Sequence, residues 1–318
     1  MKNLLLTIAL IVNIVNNLCS QDYYDAKWIA IDTNAFQIAT IAYWQANESK
    51  DYYSQHKKYK FNKDSVVEER LISSSQVSFV IQDSAESSYT LNYVYKDDLK
   101  DSANYDDFNF DALIGVVDEE NFKLIYKTDE LGTISSYDNL DEYMNNLDLI
   151  IGHVKFKLKG ENENQNKILD HLVNKNTFYD AFCGVFVSNF HFVHGMQMGI
   201  DDTLYYKQHN GVMEEECYLF ISYYDTLTRE VGYTIEQYGD SEALKTYMYS
   251  KLKDFGNHVE LENLSVSSFI KKYLYIDLNT GWPTFLQVIK EITQYNELTE
   301  EEVTHQDVWV LSIDPIEK

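Results

Sequence analysis

The segment from Ser65 to Lys96 constrains the fold of this chain more than any other. Val77, Phe79 and Ile81 alternate with Gln76, Ser78 and Val80. After the polar run Asp83-Ser84-Ala85-Glu86-Ser87-Ser88, Tyr89, Leu91, Tyr93 and Tyr95 alternate with Thr90, Asn92 and Lys96. A period of two on both sides of a turn predicts an antiparallel strand pair with one buried face. The chain carries 26 tyrosines and only two prolines. Tyrosine suits a half-exposed sheet, where the ring packs and the hydroxyl stays wet.

The first 20 residues read as a secretory signal peptide. Lys2 supplies the positive start, Leu4 to Val15 is largely apolar, and Leu18-Cys19-Ser20 offers a cleavage point ahead of Gln21. The apolar run is short for a membrane span, although an uncleaved anchor is the competing reading. The expected mature protein is extracellular, with no membrane span. The full chain has a formal charge of −25, and removing 1–20 takes one lysine and no acid, so −25 − 1 = −26. Such a surface repels nucleic acid and suits cations or basic partners. Carboxylate runs at Asp97-Asp98, Asp106-Asp107, Glu214 to Glu216 and Glu300 to Glu302 read as solvated faces with, at most, weak calcium association. None has the spacing of a calcium loop, and neither a metal site nor a cofactor is expected.

Further along, the pattern predicts a helix after Asn34, with Ala35, Ile38, Ala39, Ala42 and Ala46 as its stripe. Phe108 to Val117 and Phe122 to Tyr126 read as strands around the turn Asp118-Glu119-Glu120-Asn121. A short helix is predicted at Leu140 to Leu147, a strand at Leu149 to Leu158, and another helix around Ile168 to Val173. Strands follow at Val185 to Val193, Leu204 to Lys207, Cys217 to Tyr224 and Val231 to Glu236. Asp240 or Ser241 caps a helix with Leu244, Met248, Leu252 and Phe255 on one face. Val259 to Val266, Phe269 to Leu278, Thr284 to Ile292 and Val308 to Ile313 complete the strands, with polar Tyr295 to Gln306 between the last two.

Leu113 to Asp118, Leu219 to Asp225 and Trp309 to Asp314 resemble one another, which suggests an internal repeat. The expected organisation is an α+β fold of three units, 21–135, 136–239 and 240–318, each one helix on a curved antiparallel sheet. A single large mixed domain is the alternative.

The order Trp28-x-x-Ile31-Asp32, helix, strand, loop, strand and later hairpin resembles the cystatin family. That resemblance implies a sheet gripping one helix, and inhibition of papain-like cysteine proteases by hairpin tips. Carried over, it places a wedge at Gln76, Val77, Ser78 and Phe79. The departures are plain: Ser78-Phe79-Val80 replaces the family's Val-Ala-Gly, and no glycine stands ahead of Trp28.

Cys183 and Cys217 are a candidate disulfide in an oxidising compartment, which the chain-entropy model values at about 3–4 kcal/mol; two buried free thiols are the alternative. Asn47-Glu48-Ser49 and Asn263-Leu264-Ser265 are glycosylation sequons at Asn47 and Asn263. His191 and His194, three apart on the predicted strand, point to opposite faces and do not share a metal. No nucleophile elbow, phosphate loop or dinucleotide fingerprint appears, so no catalytic residue is assigned. The expected function is non-enzymatic binding of a protein, whether a cysteine protease or copies of the chain itself. The alternative is a structural subunit of an extracellular coat, matrix or secretory-granule content.

Overall fold

The alternating segment forms the predicted strand pair. In the computed structural model, which describes residues 37–63, 65–85, 87–96, 123–158, 179, 183–254 and 263–316, β3 (Ser65–Ala85) pairs antiparallel with β4 (Ser88–Lys96). Val77, Phe79, Ile81, Leu91, Tyr93 and Tyr95 are all buried on one face, as the period of two requires.

Among the described residues, that pair belongs to one antiparallel sheet of eleven strands. On its N-terminal side run β2 (Ser49–Asn62), β3, β4, β5 (Lys123–Asp129) and β6 (Ile134–Tyr137). On its C-terminal side run β8 (Thr203–His209), β9 (Glu214–Asp225), β10 (Glu230–Gly239), β11 (Leu264–Asp277), β12 (Pro283–Asn296) and β13 (Glu301–Ser312). Each group is a meander of neighbouring strands, and the two lie side by side through β2 and β13, giving the order β6-β5-β4-β3-β2-β13-β12-β11-β10-β9-β8. The β2–β13 register runs unbroken from Val303 opposite Asn62 to Ser312 opposite Tyr53. A separate two-stranded ribbon joins β1 (Gln37–Ala39) to β7 (Gln197–Gly199).

Three helices are described: α1 (Leu140–Leu158), α2 (Val185–Phe190) and α3 (Ser241–Asp254). α1 packs on β5, α2 on β12 and α3 on β11, so all three help to cover the inner face of the one sheet. α3 starts where predicted: Asp240 accepts hydrogen bonds from the N–H groups of Glu242 and Ala243, both at 2.9 Å, and Leu244 and Met248 are buried. From α2, Phe190 stacks on Phe79 of β3 at 4.1 Å between ring centres and meets Tyr52 of β2 edge-on at 5.8 Å.

These observations overturn the cystatin resemblance and the α+β fold of repeated helix-on-sheet units. A single sheet carries strands from all three expected segments, and the core is shared. The expected boundary at 135/136 falls inside β6, and that at 239/240 between β10 and the cap of α3.

Several local expectations change with it. The predicted helix after Asn34 is, over its described part, the short β1 followed by an extended loop. Leu149 to Leu158 continues α1 rather than forming a strand, and Val185 to Val193 is α2 with a turn. Short unbroken apolar runs fit a buried strand or a buried helix equally well, and packing decides. Phe269 to Leu278 and the strand predicted before it are, where described, one strand, β11. β13 begins at Glu301, within the stretch expected to be a polar connection. The signal peptide, Trp28 to Asp32, the acidic pairs near 97 and 106, the hairpin at 108–121 and the helix near 168 lie outside the described residues.

Candidate functional site

Three side-chain clusters stand out: two are buried, and the third lies on an exposed face. The first ties loops together at the edge of the inner face. His191 Nδ1–H donates to Gly132 O at 2.8 Å, leaving Nε2 to accept from the Tyr126 hydroxyl at 2.8 Å. His194 Nε2–H donates to Gly281 O at 2.8 Å. Trp44 lies against both imidazoles and against Trp282, whose indole N–H donates to Glu48 at 2.6 Å. Gly132 and Gly281 take positive φ here, and a Cβ on Gly281 would collide with the backbone oxygen of Ile41. Burial pushes the pKa of His191 well below the ordinary value, and His194 adds to that push; burial brings His194 down to about 4. Both rings are therefore neutral cross-links for backbone carbonyls. Contrary to the opposite faces expected from a strand, they are neighbours, 5.5 Å apart between ring centres.

The second cluster sits where the two meanders meet. His56 of β2 stacks on Trp309 of β13, 4.4 Å between ring centres and nearly parallel. Its Nε2–H donates to Asp307 Oδ1 at 2.7 Å, and Lys58 Nζ lies 3.2 Å from the same oxygen. Lys290 of β12 places its ammonium 4.7 Å above the Trp309 ring. Burial works to raise the pKa of Asp307, yet Lys58 and His56 together hold it down to about 2. Burial lowers that of His56, with Asp307 opposing. Sequence reading missed this cluster because its members are polar residues on strands far apart in the chain.

The third cluster lies on the outer face of β8 to β12. Tyr205 of β8, Tyr218 of β9, Tyr238 of β10 and Phe269 of β11 follow one another with ring centres 5.2, 6.0 and 5.0 Å apart. A second row runs from Tyr223 of β9 to Tyr275 of β11 and Phe285 of β12, at 5.9 and 5.8 Å. Gly232 of β10 stands between Tyr223 and Tyr275, and any Cβ there would meet the Tyr275 ring at 2.8 Å. Tyr223 is 43% exposed and Tyr238 46%. Carboxylates interleave with the rings: the Tyr205 hydroxyl donates to Glu216 at 3.3 Å and that of Tyr238 to Glu236 at 3.0 Å. Lys207 bridges Glu214 and Glu216, and Lys271 pairs with Glu236.

The residues singled out from sequence fall elsewhere. Gln76, Val77, Ser78 and Phe79 occupy the middle of β3, with Val77, Ser78 and Phe79 buried, so they form no wedge at a hairpin tip. Cys183 and Cys217 are both buried and are not joined in a disulfide; burial pushes Cys217 up to about 12. Cys183 precedes α2 rather than starting a strand. Asn47 is exposed in a turn at positive φ, and Asn263 is half-buried just before β11. The run Glu214 to Glu216 is split by the pleat. Glu215 points inward, where Gln208 and Asn210 donate to it, while its neighbours face out. Among the described residues, no three His, Cys, Asp or Glu side chains converge as a metal site. No described helix is long and apolar enough to cross a membrane.

No family model and no curated protein matches this chain. Among solved structures, it is similar to one concerned with lipid–protein interactions in lipovitellin, at 11% identity and a TM-score of 0.37. The match covers 86% of this chain but only 26% of that one. At this level it carries no weight for function.

Proposed function

We propose that this is a secreted, non-enzymatic protein-binding protein, and that its outer face on β8 to β12 receives a basic segment of a partner protein. The observation that carries this reading is the contiguous, half-exposed set of aromatic rings interleaved with Glu214, Glu216, Glu230 and Glu236. Rings of this kind stack on guanidinium groups, and flanking carboxylates pair with them. A chain with a formal charge of −25 draws a cationic partner from a distance. Tyrosine is also among the residues enriched at protein interfaces. The leader-like start, with Lys2 ahead of Leu4 to Val15, supports export, and the exposed Asn47 sequon is compatible with it.

Calorimetric titration with octa-arginine, octa-lysine and octa-glutamate tests the reading. Octa-arginine binds most tightly and octa-glutamate not at all, and Tyr218→Ser with Tyr238→Ser weakens octa-arginine about tenfold. Equal binding of arginine and lysine peptides, indifferent to the tyrosine changes, reduces the surface to bulk charge and removes the proposal.

A further inference from the structure

The two ends of the sheet are built differently. At one end β6 has four residues, and its pairing with β5 carries a register shift. Short length and irregularity are ways in which sheets protect an edge. At the other end β8 has seven residues, contains no proline, and pairs with β9 without any shift from Thr203–Phe220 to His209–Glu214. Among the described residues it pairs with β9 alone. A lysine on such an edge ordinarily discourages pairing by its charge. Here Lys207 is held by Glu214 at 2.7 Å and by Glu216 at 3.5 Å, both on β9, so its ammonium is drawn over the neighbouring strand rather than across the free edge.

From this contrast we infer that β8 is the pairing edge for a second copy of the chain, joined antiparallel about a two-fold axis at Tyr206. The side-chain sequence selects that register. Centring on Tyr206 uses all seven residues and sets Thr203 opposite the copy's His209, Leu204 opposite Gln208 and Tyr205 opposite Lys207, each in both directions. No like charges meet, and each Lys207 lies beside a Tyr205 ring of the other copy. Centring on Lys207 instead brings two ammonium groups face to face, which is unfavourable. The arrangement is isologous and closed, so it ends at a dimer. It also makes the outer aromatic rows of the two copies continuous across the junction. The inference stands on the β8 backbone edge and is read at Tyr205, whereas the basic-partner reading is tested at Tyr218 and Tyr238, so the failure of one is distinguishable from the failure of the other.

Light scattering coupled to size exclusion, with sedimentation velocity over 1–100 µM, gives the mass. The wild-type protein runs at twice the monomer mass. Tyr205→Lys opposes like charges at two symmetric positions and raises the dimer dissociation constant at least tenfold. Tyr205→Glu removes the same ring but sets opposite charges there, and keeps the dimer. Because both changes lose the aromatic, a difference between them reports on register rather than on folding. A Thr203→Cys, His209→Cys variant forms an interchain disulfide on oxidation, since the two positions lie at opposite ends of one strand and cannot bridge within a chain. A monomer throughout the concentration range, or equal effects of the lysine and glutamate changes, overturns the inference.

Discussion

The loop hub around His191 and His194 and the seam around His56 and Asp307 both bury histidine, and they solve its chemistry in opposite ways. At the hub each ring is a neutral donor to a backbone carbonyl, supplied by Gly132 and Gly281. At the seam His56 is bound to a carboxylate that stays ionised because Lys58 stands beside it. The hub therefore works only while its histidines carry no proton, whereas the seam works only while its aspartate carries none. Burial lowers the pKa of all three rings, and the groups their nitrogens meet decide whether each ring ties down a carbonyl or a carboxylate.

The largest effect that separates them is expected from Asp307→Ala. It leaves the buried His56 and the partly exposed Lys58 without their shared acceptor, and losing these charge-assisted bonds costs about 3 kcal/mol. Urea unfolding at pH 7 measures it, and adding Lys58→Met to the same variant restores part of the loss. A loss below about 1 kcal/mol would mean that the seam is held by strand pairing alone.

Acid comes next. His194 has a folded pKa of about 4 against an ordinary 6.5, so between these values the unfolded chain binds a proton that the fold refuses. Stability from this group is full above pH 6.5 and falls as pH is lowered toward 4, by on the order of 3 kcal/mol. His191, also held low, and His56 act in the same direction. Asp307, held at about 2 against 3.8, loses its contribution only below that window. Unfolding free energies at pH 7, 5.5 and 4 trace the fall, and His194→Gln makes it shallower. A flat profile would place the hub in water.

The smallest effect is Tyr126→Phe, which removes the hydroxyl that donates to His191 and leaves Nε2 without its partner. It costs about 1 kcal/mol, read in the same denaturation assay, while Gly132 still holds the ring.

Strands rich in apolar and aromatic residues could be read from sequence: β3, β4, β5, β8, β9, β10, β11, the first part of β12 and the second half of β13. So could α3, through Asp240 and the Leu244–Met248 stripe. β2 was not anticipated, because Ser49 to Asn62 is rich in lysine and tyrosine and its inward positions include His56 and Lys58 rather than aliphatic residues. The start of β13 was hidden for the same reason, with His305 and Asp307 where a core pattern calls for apolar side chains. The seam that joins the meanders is the part of the sheet that breaks the hydrophobic code. The outer aromatic rows were legible as abundant tyrosine but not as rows, since their alignment depends on cross-strand register. The cystatin resemblance failed because element order along the chain is shared by folds whose strands connect differently.

The adjacency of β2 and β13 also governs how the molecule is made. His56 and Asp307 are 251 positions apart, so in a growing chain the β2 margin of the early hairpins waits for its partner until β13 has been made. Contacts so distant form slowly. Until β13 pairs, the sheet is two separate meanders, each with an edge that the seam will later close.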